Sequence, residues 1–140
     1  EGMVHAGLDI DPALLIEGDY SEASGEAAAH HLLALPAPPT ALVCSNDRMA
    51  LGVMRAAAWR GVVVGRDFSV VGFDDIPASR FSAPPLTTVR QPIHEIGTQL
   101  FALLMTVINR RPTDGLSGRL MEPELRIRES TASAPDSFVW

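Results

Sequence analysis

Small polar and acidic residues recur directly after short apolar runs. Asp19-Tyr20 follow LLIEG, Ser45-Asn46-Asp47 follow ALVC, and Asp74-Asp75 follow SVVGF. Carboxylates and amides make directional hydrogen bonds to hydroxyls and ring nitrogens. An aromatic such as Tyr20 can stack on a flat ligand face. This is binding chemistry, and no catalytic constellation accompanies it. Cys44 has no predicted His partner, there is no nucleophile elbow, and Gly61 and Gly65 flank valines rather than forming a phosphate loop. Asp74 and Asp75 suggest a carboxylate pair, but neighbours on an extended chain point to opposite sides. One is expected to face a cleft and the other to hold the following loop. His30 and His31 point about 100° apart on a helix. They lack a second ligand at helical spacing, and His5 and His94 are alone. No metal and no cofactor is expected.

The same residue types also cap helices and form turns. Asn46 fits capping and binding equally well. Asp47, nearest the helix start, reads mostly as a cap.

The elements that must position these residues alternate along the chain. ALLIEGDY ends an apolar run. In SEASGEAAAHHLLAL, Ala27, Leu32, Leu33 and Leu35 recur at roughly helical spacing, and PAPPT breaks that helix. TALVCS reads as a buried strand, and NDRMALGVMRAAAWRG as a helix ended by Gly61. VVVGRD is a connector, FSVVGF a further strand, DDIPASRFSAPPLTT irregular, and LTTVRQ a possible fourth strand. PIHEIGTQLFALLMTVINRRP is the longest helix, opened by Pro92. Its stripe comprises Ile93, Ile96, Leu100, Leu103, Leu104, Val107 and Ile108. GRLMEPELRIRES supplies one or two terminal strands, and TASAPDSFVW reads as a loose tail. Apolar strands alternating with helices imply βαβ units, a parallel sheet and helices on both faces. In such sheets ligands bind beyond the carboxyl ends of the strands, where the polar clusters fall.

The chain has 140 residues, room for one ordinary domain, and 46% are hydrophobic, enough for a core. No apolar run approaches the length of a membrane span. The net charge is −6 and every basic residue is an arginine, which argues against this segment gripping a phosphate backbone by itself. The lone Cys44 excludes an internal disulfide and reads as a small core residue. The opening EGMVHAGLDIDP has no signal-peptide form and reads as a helix end followed by a loop. A fragment of a longer protein is the expectation.

The run from PTALVCSNDRMALG through SVVGFDD to PPLTTVRQPIHEIG, with EGDYSEASG before it and ELRIREST after it, carries a family resemblance. It closely resembles the effector-binding domain of LacI/GalR (lactose-repressor) transcription regulators, over nearly the whole chain to about Thr131. The resemblance implies an α/β fold of the type I periplasmic-binding-protein kind, a three-layer α-β-α parallel sheet. This chain would hold most of the C-terminal lobe, over residues 1–131. Residues 86–112 would cross to the N-terminal lobe and 132–140 would form a flexible tail. The DNA-binding helix-turn-helix would lie outside the chain.

By motif, Tyr20, Asn46 and Asp74 match effector-contacting positions of that family, and Gln91 and Ile93 match cleft-edge positions. Leu51, Met54 and Phe81 resemble its subunit-pairing face. The implied protein is a cytoplasmic homodimeric regulator. A small effector, a sugar or alternatively a purine or nucleoside, would shift its lobes between two arrangements and so control operator binding. A periplasmic sugar-binding protein of a transporter is the competing reading, and an enzyme the least supported one.

Overall fold

The computed structural model describes residues 2–7, 9–109 and 120–133. A short helix α1 (Gly2–His5) and a 3-10 turn (Pro12–Leu14) lead to α2 (Glu22–Leu32), followed by β1 (Ala41–Val43) and α3 (Asp47–Trp59). The order continues with β2 (Ser69–Phe73), α4 (Pro77–Phe81), β3 (Thr87–Arg90), α5 (Ile93–Ile108) and β4 (Glu124–Arg126). The strands form one sheet in the order β1-β2-β3-β4. β1 and β3 flank β2 in parallel, with Val43 opposite Val71 and Val71 opposite Thr87. β4 closes the sheet antiparallel, with Val89 opposite Leu125. The chain is thus α/β with a parallel sheet, as expected, and carries one antiparallel edge strand.

Two caps set the main helices. Ser21 begins α2 by accepting a hydrogen bond from the Ser24 amide at 3.1 Å, satisfying one of the free amides of a first turn. Asn46 begins α3 in the same way through the Met49 amide at 2.9 Å. Gly61 ends α3 at φ +75°, and the Val62 amide returns to the Ala57 carbonyl at 3.0 Å. That closure is the glycine stop read from the sequence.

α2 buries Gly25, Ala28, Ala29 and Leu32, whereas Ala27 is exposed. Of the expected stripe, Leu32 is buried and Leu33 packs against the core, while Ala28 takes the inward place expected of Ala27. Close approach of α3 selects the smallest side chains instead. A Cβ on Gly25 would lie 2.1 Å from the Met49 carbonyl oxygen, and one on Gly52 would lie 2.0 Å from that of Glu22. Arg55 of α3 staples the outer edge of this contact to Glu26 at 2.6 Å and Glu22 at 3.2 Å.

α3 lies on β2, whose Val70 and Gly72 are buried while Ser69, Val71 and Phe73 are half-buried. Phe68, Leu32, Leu86, Val53 and Val70 are the largest fully enclosed apolar side chains. Each such side chain contributes about 1.5–3 kcal/mol of transfer free energy.

Two expectations fail here. ALLIEG is not a strand. Its first residues wind into the 3-10 turn, and Leu15 and Ile16 remain exposed with no ladder partner. β1, read as buried, is an edge strand with Val43 78% exposed. An open groove of about 440 Å³ separates the two segments, floored by Leu32, Cys44 and Met49. Without a neighbour, an apolar run has nothing to exchange hydrogen bonds with, whatever its propensity.

α5 forms where its stripe predicted, but none of its residues is buried. Leu100 and Ile108 are each 61% exposed. The expected continuation of this helix over 110–112, and residues 134–140 of the expected tail, lie outside the described residues. No helix among those described is long and apolar enough to cross a membrane.

Candidate ligand-binding site

Three non-glycine residues adopt positive φ among the described ones: Tyr20 (66°), Asp74 (116°) and Asp75 (54°). Side chains disfavour that region, and a residue held there costs about 1–3 kcal/mol, so such residues concentrate where geometry serves function. All three belong to the polar clusters singled out by type.

Asp74 follows β2, and its amide donates to the Val89 carbonyl at 2.8 Å, which extends the β2–β3 ladder by one bond. Gln91 leaves β3 on the same side and donates from Nε2 to Asp74 Oδ1 at 2.9 Å. The other oxygen of Asp74 accepts from no protein donor among the described residues. With Pro92 and Ile93, these two residues line an open pocket of about 480 Å³. Ile93 is 59% exposed and supplies an apolar edge. The wall can accept hydrogen bonds through Asp74, present an amide through Gln91 and cover an apolar face through Ile93.

Tyr20 and Asn46 form a second unit. Asn46 Nδ2 donates to the Tyr20 carbonyl at 3.1 Å while its Oδ1 caps α3. Asn46 therefore caps and ties two strand-end loops together, and both ends of its amide are engaged. Tyr20 is 65% exposed. Beside it, Asp19 accepts from the Ser21 amide at 3.0 Å. Hydrogen bonds from Ser21 and then Ser24 hold its carboxyl at about 2. The Tyr20–Asn46 unit is not in the wall formed by Asp74, Gln91 and Ile93.

Asp47 corrects a reading. It is fully buried and caps nothing. One of its oxygens accepts from the Ile76 amide at 2.8 Å and the other from the Thr88 hydroxyl. It therefore pins the start of α3 to the loop after β2 and to β3. Gly72 lies against it because a Cβ there would stand 2.2 Å from Asp47 Oδ1. Sequence position close to the helix start could not distinguish this role from a cap.

Asp74 and Asp75 divide their work as expected, although the left-handed backbone, not an extended one, separates them. The Asp75 side chain is 1% exposed. It accepts from Arg128, and from Arg80 at 3.1 Å, while Arg90 approaches to 3.8 Å. Burial works against its charged form, but the hydrogen bonds from Arg128 and Arg80 prevail and hold the carboxyl below its usual range. This cluster was not read from the sequence. Its only signal there was the alternation of Arg126 and Arg128 in LRIRES.

Of the pairing-face residues, Phe81 is 85% exposed and Leu51 is half-buried against the core. Met54 is 6% exposed and belongs to the core cluster.

Residues 1–131 match the family model of the periplasmic binding protein-like domain. The chain belongs to that family. It is 40% identical over 135 residues to the HTH-type transcriptional repressor CytR of Escherichia coli, covering 96% of this chain and 39% of the relative. A regulatory protein of the LacI family from Chloroflexus aggregans superposes with a TM-score of 0.84 at 38% identity, covering 93% of this chain and 47% of the other. The transcriptional regulator CelR in complex with cellobiose superposes at 0.83 with 34% identity, over 91% and 39% of the two chains. The similarity thus falls on LacI-type regulators, and the chain spans about two fifths of the length of the curated relative.

Proposed function

We propose that this chain is the C-terminal part of the ligand-sensing domain of a LacI-type transcriptional regulator. Residues 1–131 form that part, and the segment that begins at residue 86 crosses to a second lobe that the longer protein supplies. The effector is a small polyhydroxylated molecule, a sugar in the first instance. It is held by Asp74, Gln91 and Ile93 on one side and by Tyr20 with Asn46 on the other. The observation that carries this reading is Asp74 itself. It is oriented by Gln91 in a strained backbone conformation and keeps one oxygen open at a pocket wall.

Function follows from differential affinity. An effector that touches Asp74 and Gln91 sits where β3 passes into α5, so it biases how α5 and its lobe are placed. Only a difference in affinity between two placements can move the equilibrium. The regulator acts in the cytoplasm as a homodimer, with Phe81 and Leu51 at the pairing face. Operator DNA is bound by a domain outside this chain, and no reaction is catalysed. Relatives named as transcriptional repressors support a regulator over a transport component.

Thermal denaturation against a panel of sugars and nucleosides tests the reading, since a ligand of the native state raises Tm by mass action. A shift with a sugar that disappears in Asp74→Ala is the expected result. A ligand-induced shift of equal size in that variant would refute the assignment of the site. A nucleoside response with no sugar response would replace the effector class.

A further inference from the structure

Beside the candidate effector pocket lies a second depression of about 480 Å³, lined by Asp75, Arg80, Arg90, Arg126 and Arg128 with Leu125 and Ile127. Three of the four guanidinium groups approach the one buried carboxylate of Asp75, in a chain whose net charge is −6. Their donors are unequally used. Arg128 is the most fully used, with one nitrogen on Asp75 and another on the Leu86 carbonyl at 2.6 Å. Arg80 spends one nitrogen on Asp75, at 3.1 Å. Arg126 pairs with Glu124 at 3.0 Å. The Arg90 side chain makes no hydrogen bond among the described residues, and its closest charged approach is 3.8 Å.

Asp75 and Glu124 are the only carboxylates that pair with these four arginines among the described residues. Arg80, Arg90 and Arg128 thus share the single carboxylate of Asp75, while Asp74, Glu95 and Glu122 line the neighbouring pocket without pairing with them. Arginine side chains gathered at one place repel one another, and each retains several donors in a rigid fork. Arg80 and Arg90 come from different elements, α4 and the end of β3, and are drawn together by the same carboxylate. The fork geometry matches a tetrahedral oxyanion, which can take paired hydrogen bonds from more than one guanidinium.

We propose that this depression is an anion site that binds a phosphate group, either inorganic phosphate or the phosphate of a small monoester. Arg90 is its principal donor, Arg80 and Arg126 close the sides, and Asp75 organises the cluster without facing the anion. The site is distinct from the Asp74–Gln91 wall and does not rest on the effector reading. The two are joined by Asp75, Arg80 and Arg90, which line both depressions. A bound anion would therefore draw on Arg90 directly before the crossover into α5.

Isothermal titration of the purified protein with sodium phosphate tests the site, with sodium chloride at matched ionic strength as control. The expected result is saturable binding, weakened about tenfold or more in Arg90→Gln, as befits loss of a charged hydrogen bond. The Arg90 side chain makes no hydrogen bond among the described residues, so the variant is expected to keep its fold, which circular dichroism verifies. Titration with glucose 6-phosphate and with glucose distinguishes the sources. Tighter binding of the ester than of phosphate, with the same dependence on Arg90, assigns the site to a phosphorylated small molecule. Binding of inorganic phosphate alone assigns it to the free ion. Heat no greater than the chloride control, or equal affinity in Arg90→Gln, would overturn the proposal. Loss of phosphate binding in Asp74→Ala would also overturn it, by placing the anion in the neighbouring pocket.

Discussion

Replacing Asp75 by Asn should be the most informative single change to the stability of this chain. The wild-type carboxylate is almost fully enclosed and serves Arg128 and Arg80 directly, with Arg90 nearby. Removing one partner of a buried ion pair costs about 3–5 kcal/mol where both groups are enclosed. Here the partners differ. Arg128 is 17% exposed and would be left uncompensated, whereas Arg80 and Arg90 are about half exposed and rehydrate readily. Asparagine also retains one acceptor. The expected loss is therefore about 2 kcal/mol, read from urea unfolding by linear extrapolation.

The pH dependence supplies the sign. The folded carboxyl is held below its usual range, so its contribution is present above the unfolded value near 3.9 and is lost as pH falls through the folded one. The difference between wild type and Asp75→Asn should be full at neutral pH and shrink in acid below about pH 4. Combining Asp75→Asn with Arg128→Met should cost less than the sum of the two separate changes, because their partner is already gone. A loss under about 0.5 kcal/mol, the range of an ordinary surface change, or a difference independent of pH, would refute the argument.

Gly52→Ala should destabilise by about 1–3 kcal/mol in the same assay, because α2 and α3 must move apart to admit the new methyl group. Exchanging both Leu100 and Leu104 for Gln should leave the urea midpoint within about 0.5 kcal/mol of wild type, since neither side chain is buried. A larger loss would mean that the α5 stripe is covered in solution. Cys44 is buried and its thiol is pushed up to about 12, first by burial and then by the nearby charge of Asp47. An aromatic disulfide reagent should therefore modify it slowly in the folded chain and rapidly in urea, because the thiolate is the reactive form. Equal rates would show that the segment around β1 opens readily.

What could be read without coordinates was whatever has a short-range cause. The helical spacing of Ile93, Ile96, Leu100 and Leu104, the Gly61 stop, the valine-rich β2 and the polar clusters after apolar runs are all local patterns. Helix geometry and strand alternation translate such patterns directly into structure. Asp74 was found in this way, Gln91 was named only through the family resemblance, and the two meet.

Pairing across the chain decided the rest. Asn46 rather than Asp47 caps α3 because Thr88 and the Ile76 amide, distant in sequence, claim the Asp47 carboxylate. Met54 joins the core cluster, a placement that its helical spacing alone did not decide. LLIEG has the residues of a strand and is none, because strand structure needs a neighbour and no described residue pairs with it. The three arginines on Asp75 come from α4, β3 and the segment after β4. No spacing rule joins those positions. Only the sheet, which brings the end of β2 beside β3 and β4, gathers their charges around one carboxylate.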